Sequence, residues 1–198
     1  MLELMKPAVE HGPEYLAMVD EGIEIGEGYP FNDVELARND FAAFVQELEE
    51  EARGIGLPPG IPAQQTYLLV KDGRMVVGEI RFRPYIQPPY ERYSGHVGYN
   101  IRPSQRGKGY ATRQLALVLD EARNLGLSGV SLTIDSNSMD PEASIRVIEK
   151  NGGRLLRNID NPLKVCVLEE DGELVTREVE ETGERVSLYW IDLVPQPL

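Results

Sequence analysis

The chain has 198 residues, 41% hydrophobic and 27% charged, and 33 acidic against 20 basic side chains give a formal charge of −13. That length suits one domain with a sizeable core, and no apolar run approaches the ~20 residues needed to span a bilayer. One cysteine (Cys166) and two distant histidines (His11 and His96) exclude an intrachain disulfide and a thiolate zinc cluster, and argue against any metal site.

The acidic balance also argues against a phosphate-backbone partner, because nucleic-acid binders carry a basic face. It permits a cationic substrate, although runs such as "QELEEEARG" read equally as solvated faces. The start, "MLELMKPAVEHGPEYL", has neither the basic head nor the apolar core of a secretory signal, so a cytoplasmic protein is expected.

"LELMKPA" predicts a short strand, and "GPEYLAMVDEGIEIG" a helix with Tyr15, Met18, Val19 and Ile23 on one face. "FNDVELARNDFAAFVQELEEEAR" reads as one longer helix, with Asn32 and Glu35 as a capping box and Phe41, Phe44, Val45 and Leu48 as its stripe. "GIGLPPGIP" ends it. "QTYLLVKDGRMVVGEIRF" is a hairpin about Asp72-Gly73, "RPYIQPPYERYSG" a loop, and "HVGYNI" a third strand alternating Val97, Tyr99 and Ile101 against His96, Gly98 and Asn100.

A helix follows in "YATRQLALVLDEARNLG", with Gly126 at its C-terminal cap. Then come a buried strand, "GVSLTID", and a helix, "PEASIRVIEKNGG", opened by proline and closed by glycines. The tail is β-rich, with turns at Asp171-Gly172 and Thr182-Gly183, and Cys166 is expected to be a small buried hydrophobe. The expected fold class is mixed α/β (α+β) in one layered unit.

Between the third strand and its helix lies "SQRGKGYATR". The first N–H groups of a helix lack partners and its N-terminal end is positive, so such a terminus binds anions. Gly107 and Gly109 would let the backbone approach a ligand closely, and Arg106 and Lys108 would add charge-assisted bonds. The six residues alone are equally compatible with a glycine-rich turn carrying two solvated cations. They match neither a nucleotide P-loop, which ends in lysine followed by Ser or Thr, nor the G-x-G-x-x-G of a dinucleotide fold.

"GHVGYNIRPSQRGKGYATRQLALVLDEARNLGL", with "VSLTID" and "ASIRVIEKNGGRLL" after it, resembles the GNAT superfamily of acyl-CoA-dependent N-acetyltransferases, in particular one bacterial branch of predicted acetyltransferases. Arg106-x-x-Gly109-x-Ala111 resembles the family's pyrophosphate signature, and "SIRVIEKNGG" is a second match. The resemblance covers about residues 65–160 of a single domain expected over 1–198. It implies a mostly antiparallel central sheet flanked by helices, here with a β-rich C-terminal extension. It implies acetyl-CoA as cosubstrate, with the amides of Arg106, Gly107, Lys108, Gly109, Tyr110 and Ala111 on the pyrophosphate and Ile101 pairing a pantetheine amide. It implies further that the strand "HVGYNI" splays from "GVSLTID", so that the Tyr99 amide polarises the thioester carbonyl.

Direct transfer to a primary amine would then need a base. His96 stands where many relatives carry glutamate, and its ordinary pKa of ~6.5 suits the task; a structural hydrogen bond at the strand edge is the other reading. Glu79 is the reserve base, or simply a solvent-facing strand residue. Ile148 takes the place of the tyrosine that protonates the leaving thiolate in many relatives, so the acid is unassigned. Asn137 either reaches the pantetheine arm or serves its turn, and Ser144 is either a pantetheine contact or a helix-start residue. The rivals are an inactive CoA-binding or regulatory domain and an anion- or nucleotide-binding module. A homodimer through the Tyr189-Trp190-Ile191 strand is compatible with the tail.

Overall fold

A computed structural model describes residues 1–27, 32–86, 94–170, 173–180 and 183–193. Four strands form an antiparallel meander in sequence order: β1 (Leu2–Met5), β2 (Gln65–Lys71), β3 (Met75–Phe82) and β4 (Val97–Ile101). The β2–β3 turn has φ of 53° at Asp72 and 66° at Gly73, the pair of positive values that a type I′ hairpin turn demands. β3 is an inner strand covered on both faces, and all its residues after Met75 are buried.

One face of this sheet packs on three helices, α1 (Gly12–Glu24), α2 (Val34–Asn39) and α3 (Phe41–Ala52). Tyr15, Met18 and Val19 meet Ala37, Phe44 and Leu48 over Leu68, Val70 and Val76. The long second helix expected from sequence is two helices. Asp40 leaves helical geometry (φ −151°, ψ 91°) and its carboxylate accepts the Ala43 N–H at 3.0 Å. Asp33 likewise caps α2 by accepting from Leu36 N–H at 2.9 Å, the place expected of Asn32. Asn32 is drawn instead into a buried cluster, where its amide donates to Glu79 Oε1 (2.9 Å) and Tyr15 Oη (2.7 Å) and accepts from Arg81.

The other face is covered by α4 (Tyr110–Asn124), whose Leu115, Val118, Leu119 and Ala122 pack on Ile80, Phe82 and Val97. This core runs on into a second sheet ordered β5 (Gly129–Asp135), β9 (Arg185–Asp192), β6 (Arg154–Asp160), all antiparallel, with α5 (Pro141–Lys150) beside it. Ile148 and Tyr189 are buried in this core. β7 (Leu163–Glu170) and β8 (Glu173–Glu180) pair only with each other, and Cys166, expected to be buried, is half-buried there. The expected turn at Asp171-Gly172, the Thr182 half of the next turn and residues 87–93 of the proline-rich loop lie outside the described residues. No described helix is long and apolar enough to cross a membrane.

Candidate active site

The two sheets touch at one corner. Gly95, at φ 65°, bridges Leu132, and a Cβ at Gly95 would stand 2.7 Å from the Ser131 carbonyl oxygen, so only glycine fits. His96 N–H donates to that carbonyl at 2.8 Å. Beyond this corner β4 and β5 belong to different sheets. Arg83 N–H donates to His96 O and Arg102 N–H to Val77 O, so from the His96 carbonyl onward the even-numbered residues of this stretch turn their backbone groups toward β3. By alternation Val97, Tyr99 and Ile101 turn theirs away from β3, toward the gap before β5.

Two cavities open on this gap. The larger, about 600 Å³, runs from Tyr99 and Ile101 past the loop at Gln105–Thr112 to the face of α5 carrying Ala143, Ser144, Arg146, Val147 and Lys150. The smaller, about 350 Å³, lies between Val97–Tyr99 and Leu132–Asp135, with Arg83 in its wall. Tyr99, Ser138 and Ser144 line both.

In the larger cavity, Gly107 and Gly109 have φ of 73° and 77°, and no atom lies within 4 Å of where their Cβ atoms would be. The glycines are therefore needed for the backbone conformation and leave the amides uncovered. Gly109 is the N-cap of α4 and supplies no side-chain cap, so the first N–H groups of this 15-residue helix are unsatisfied by it and face the cavity end. Arg106, Arg146 and Lys150, against Glu27 and Asp140, leave the described lining net positive. The donor set fits a pyrophosphate: backbone amides at a positive helix end, with guanidinium and ammonium groups beside them.

Helix α1 braces this loop from outside. Arg102 Nε donates to Glu21 (2.6 Å), Arg102 Nη1 to Glu14 (2.9 Å), and Ser104 N–H to the other Glu21 oxygen (3.1 Å). Just beyond α1, Glu27 accepts a bidentate pair from Arg106, 2.5 Å on each side. That hydrogen bond raises the Arg106 pKa against a smaller opposing effect of burial.

Tyr99 sits where the cavities meet. Its hydroxyl donates to the Ser144 carbonyl at 3.2 Å, and burial, partly offset by that bond, pushes its pKa up to about 12. His96 faces elsewhere. Its Nδ1 accepts the Ser131 N–H at 3.0 Å, its ring lies edge-on to Trp190, and it lines neither cavity. Burial, and secondarily the Arg83 charge, lower its pKa to about 4. Glu79 is 1% exposed and paired with Arg81 and Asn32, again outside both cavity walls.

Of the other residues singled out in the sequence, Ile101, Arg106, Gly107, Gly109, Tyr110, Ala111 and Ser144 come together around the larger cavity. Lys108 folds back to Ser104 O and Gln105 Oε1, both at 3.0 Å, and Asn137 donates its N–H to Asp135 Oδ1 at 2.8 Å; neither lines a cavity. Arg146 and Lys150 were missed, although the sequence places them one turn apart on a helix already singled out. Glu27 and Arg83 carry no local signal, because their roles come from contacts across the chain. Among the described residues no group of His, Cys, Asp and Glu is placed to hold a metal.

No curated protein matches the chain. Among solved structures, an N-acetyltransferase from Staphylococcus aureus Mu50 superposes with a TM-score of 0.58 at 19% identity, over 98% of this chain and 99% of that one. An acetyltransferase from Salmonella typhimurium, yncA, solved with acetyl-CoA, gives 0.56 at 15% identity over 100% and 96%. A chimera of the Vibrio cholerae spermidine N-acetyltransferase SpeG gives 0.55 at 16% over 97% and 96%. These likenesses establish a shared fold. The family described as the acetyltransferase (GNAT) domain matches residues 9–154, and the chain belongs to that acetyltransferase family.

Proposed function

We propose that this protein transfers the acetyl group of acetyl-CoA to a primary amine. The observation that carries the reading is the uncapped, glycine-opened start of α4, which faces a cationic cavity that meets a second cavity at Tyr99. The amides of Gly107–Ala111 hold the pyrophosphate, with Arg106, Arg146 and Lys150 neutralising its charge. The pantetheine arm runs along Ile101 and Ser144 into the gap between β4 and β5. The Salmonella typhimurium neighbour crystallised with acetyl-CoA supports this choice of cosubstrate.

At the inner end the Tyr99 N–H, turned away from β3, polarises the thioester carbonyl; one fixed donor of this kind is worth ~3 kcal/mol. The amine arrives through the smaller cavity. Transfer forms its C–N bond, breaks the C–S bond, and moves one proton from nitrogen to sulfur. His96 is a poor base here, because its accepting nitrogen is taken and its pKa is low, and Glu79 is sealed in its own cluster. Water in the smaller cavity removes the amine proton. The departing thiolate takes its proton from water, because the Tyr99 hydroxyl already gives its one proton to Ser144 O and its pKa lies well above that of a thiol, and Ile148 has no group for the task.

The test is thiol release from acetyl-CoA by the purified protein, dependent on an added primary amine, with mass spectrometry showing one acetyl group on that amine. Saturable acetyl-CoA binding with no transfer to any amine would leave a coenzyme-binding domain and refute the enzymatic reading.

A further inference from the structure

The reading above leaves the amine unidentified, and the smaller cavity says more about it. Resting on that reading, we infer that the acceptor is an amine that also carries a carboxylate, and that Arg83 receives it.

Arg83 follows β3, anchored by its N–H bond to the His96 carbonyl (2.8 Å). Strand alternation puts its side chain on the same sheet face as Glu79 and Arg81. It is 7% exposed, yet it forms part of the wall of the smaller cavity beside Gly98 and Tyr99. Gly98 is the neighbour of the catalytic amide, so an amine nitrogen poised there has the guanidinium wall within the same small volume.

A guanidinium stays charged at any working pH. Burying it in a cavity wall costs several kcal/mol unless anions compensate it, and within the fold Arg83 has other partners. A guanidinium presents five N–H donors in a planar fork whose geometry matches a carboxylate. Such a fork, already stripped of water, discriminates more sharply than a surface lysine, because a carboxylate there meets little competition from solvent.

The charges of this cavity are also balanced in a telling way. Among its described lining residues the charged side chains are Arg83 and Asp135, and Asp135 stands at the end of β5, where one oxygen accepts the Asn137 N–H. One cation and one anion in about 350 Å³ complement a zwitterion. A diamine or polyamine would instead set an ammonium group against a buried guanidinium. The overall charge of −13 favours cations at long range, but the last few ångströms oppose a purely cationic acceptor. This separates the chain from the spermidine-named neighbour despite their shared fold.

The experiment compares matched amines in the thiol-release assay at fixed acetyl-CoA: leucine with leucinamide, phenylalanine with phenylalaninamide, and 4-aminobutanoate with butylamine and 1,4-diaminobutane. The α-amides have the more readily deprotonated amine, so uncatalysed reactivity works against the inference. We expect kcat/KM for at least one carboxylated amine to exceed that of its partner by about tenfold or more, the factor that 1.4 kcal/mol of differential binding gives. Arg83→Gln is expected to collapse that ratio toward one, with Arg83→Lys intermediate because it keeps charge without the fork. Amides or diamines reacting as well as the carboxylated amines in the wild-type protein would overturn the inference, a comparison that requires no variant to fold. Calorimetry with acetyl-CoA separates the two levels: intact coenzyme binding with the wrong amine preference sinks the inference alone, and absent coenzyme binding sinks the reading beneath it.

Discussion

Glu27→Gln tests whether the fold holds its own anion where the coenzyme's must go. The Glu27 carboxylate occupies both forks of Arg106 while lining the same cavity as the loop. Its side chain is 12% exposed and that of Arg106 is 44% exposed, so the pair lies between two regimes. A fully exposed pair is worth about 0–1 kcal/mol, and well-shielded charged hydrogen bonds about 1.5–3 kcal/mol. An intermediate value near 1.4 kcal/mol corresponds to about tenfold in affinity. A pyrophosphate must break this pair and then sit beside the freed carboxylate. Glutamine keeps the shape and removes the charge, so the variant is expected to bind acetyl-CoA up to about tenfold more tightly. Calorimetry at low and high ionic strength is the assay. The gain should shrink with salt, which screens a half-exposed pair. Weaker binding by Glu27→Gln would refute this reasoning and mean that Glu27 aims Arg106 at the phosphate.

Other expectations follow from the same geometry. Tyr99→Phe removes the hydroxyl between the cavities but keeps the ring and the main-chain N–H, so kcat should fall by less than about tenfold; a loss of about 100-fold or more would make that hydroxyl the general acid. His96, with a folded pKa of about 4, stays neutral where the unfolded chain protonates near ~6.5. Between those values the unfolded state binds the extra proton, so stability should fall as pH drops from ~6.5 toward ~4, by up to about 1.4 kcal/mol per pH unit. Denaturant titrations should show this slope flattened in His96→Gln; an unaltered slope would put the titration elsewhere. Gln114 is 0% exposed on α4, and among the described residues neither its Oε1 nor its Nε2 has a hydrogen-bond partner. Gln114→Met should therefore raise stability by about 1–2 kcal/mol, and a lower denaturation midpoint would show that the amide is engaged.

What could be read from sequence was what local chemistry dictates. Asp72-Gly73 names its turn, Pro141 starts α5, and Gly126 ends α4 at φ 78°, with the Leu127 N–H returning to Ala122 O. The break at Asp40 was hidden because Ala37, Phe41, Phe44 and Leu48 hold helical spacing across it, and an aspartate within a helical run announces a cap only once the chain turns. Asn32 and Asp33 satisfy the same capping rule, and the choice was made by Glu79 and Arg81, nearly fifty positions away. The burial of Glu79 has the same origin, since strand alternation gives its face but not the helix that covers it. His96 was misleading for a related reason: its position suggested a base, and the nitrogen that would act as one is held by β5. Arg106, Gly107 and Gly109 were legible because anion binding at a helix start is encoded within a few residues. Their counterpart Glu27 was not, because it arrives from the segment just beyond α1.

The central claim is that the start of α4 is built for the pyrophosphate of acetyl-CoA. Its most direct test is calorimetric titration of the wild-type protein, Gly109→Asn and Gly109→Asp with acetyl-CoA, and with ATP as control. Asparagine and aspartate tolerate the left-handed conformation of position 109 about equally, so their difference isolates charge. The account predicts saturable acetyl-CoA binding and no ATP binding by the wild type, much of that affinity kept by Gly109→Asn, and its loss in Gly109→Asp. Equal affinity in the two variants, or no binding of acetyl-CoA by the wild type, would contradict it.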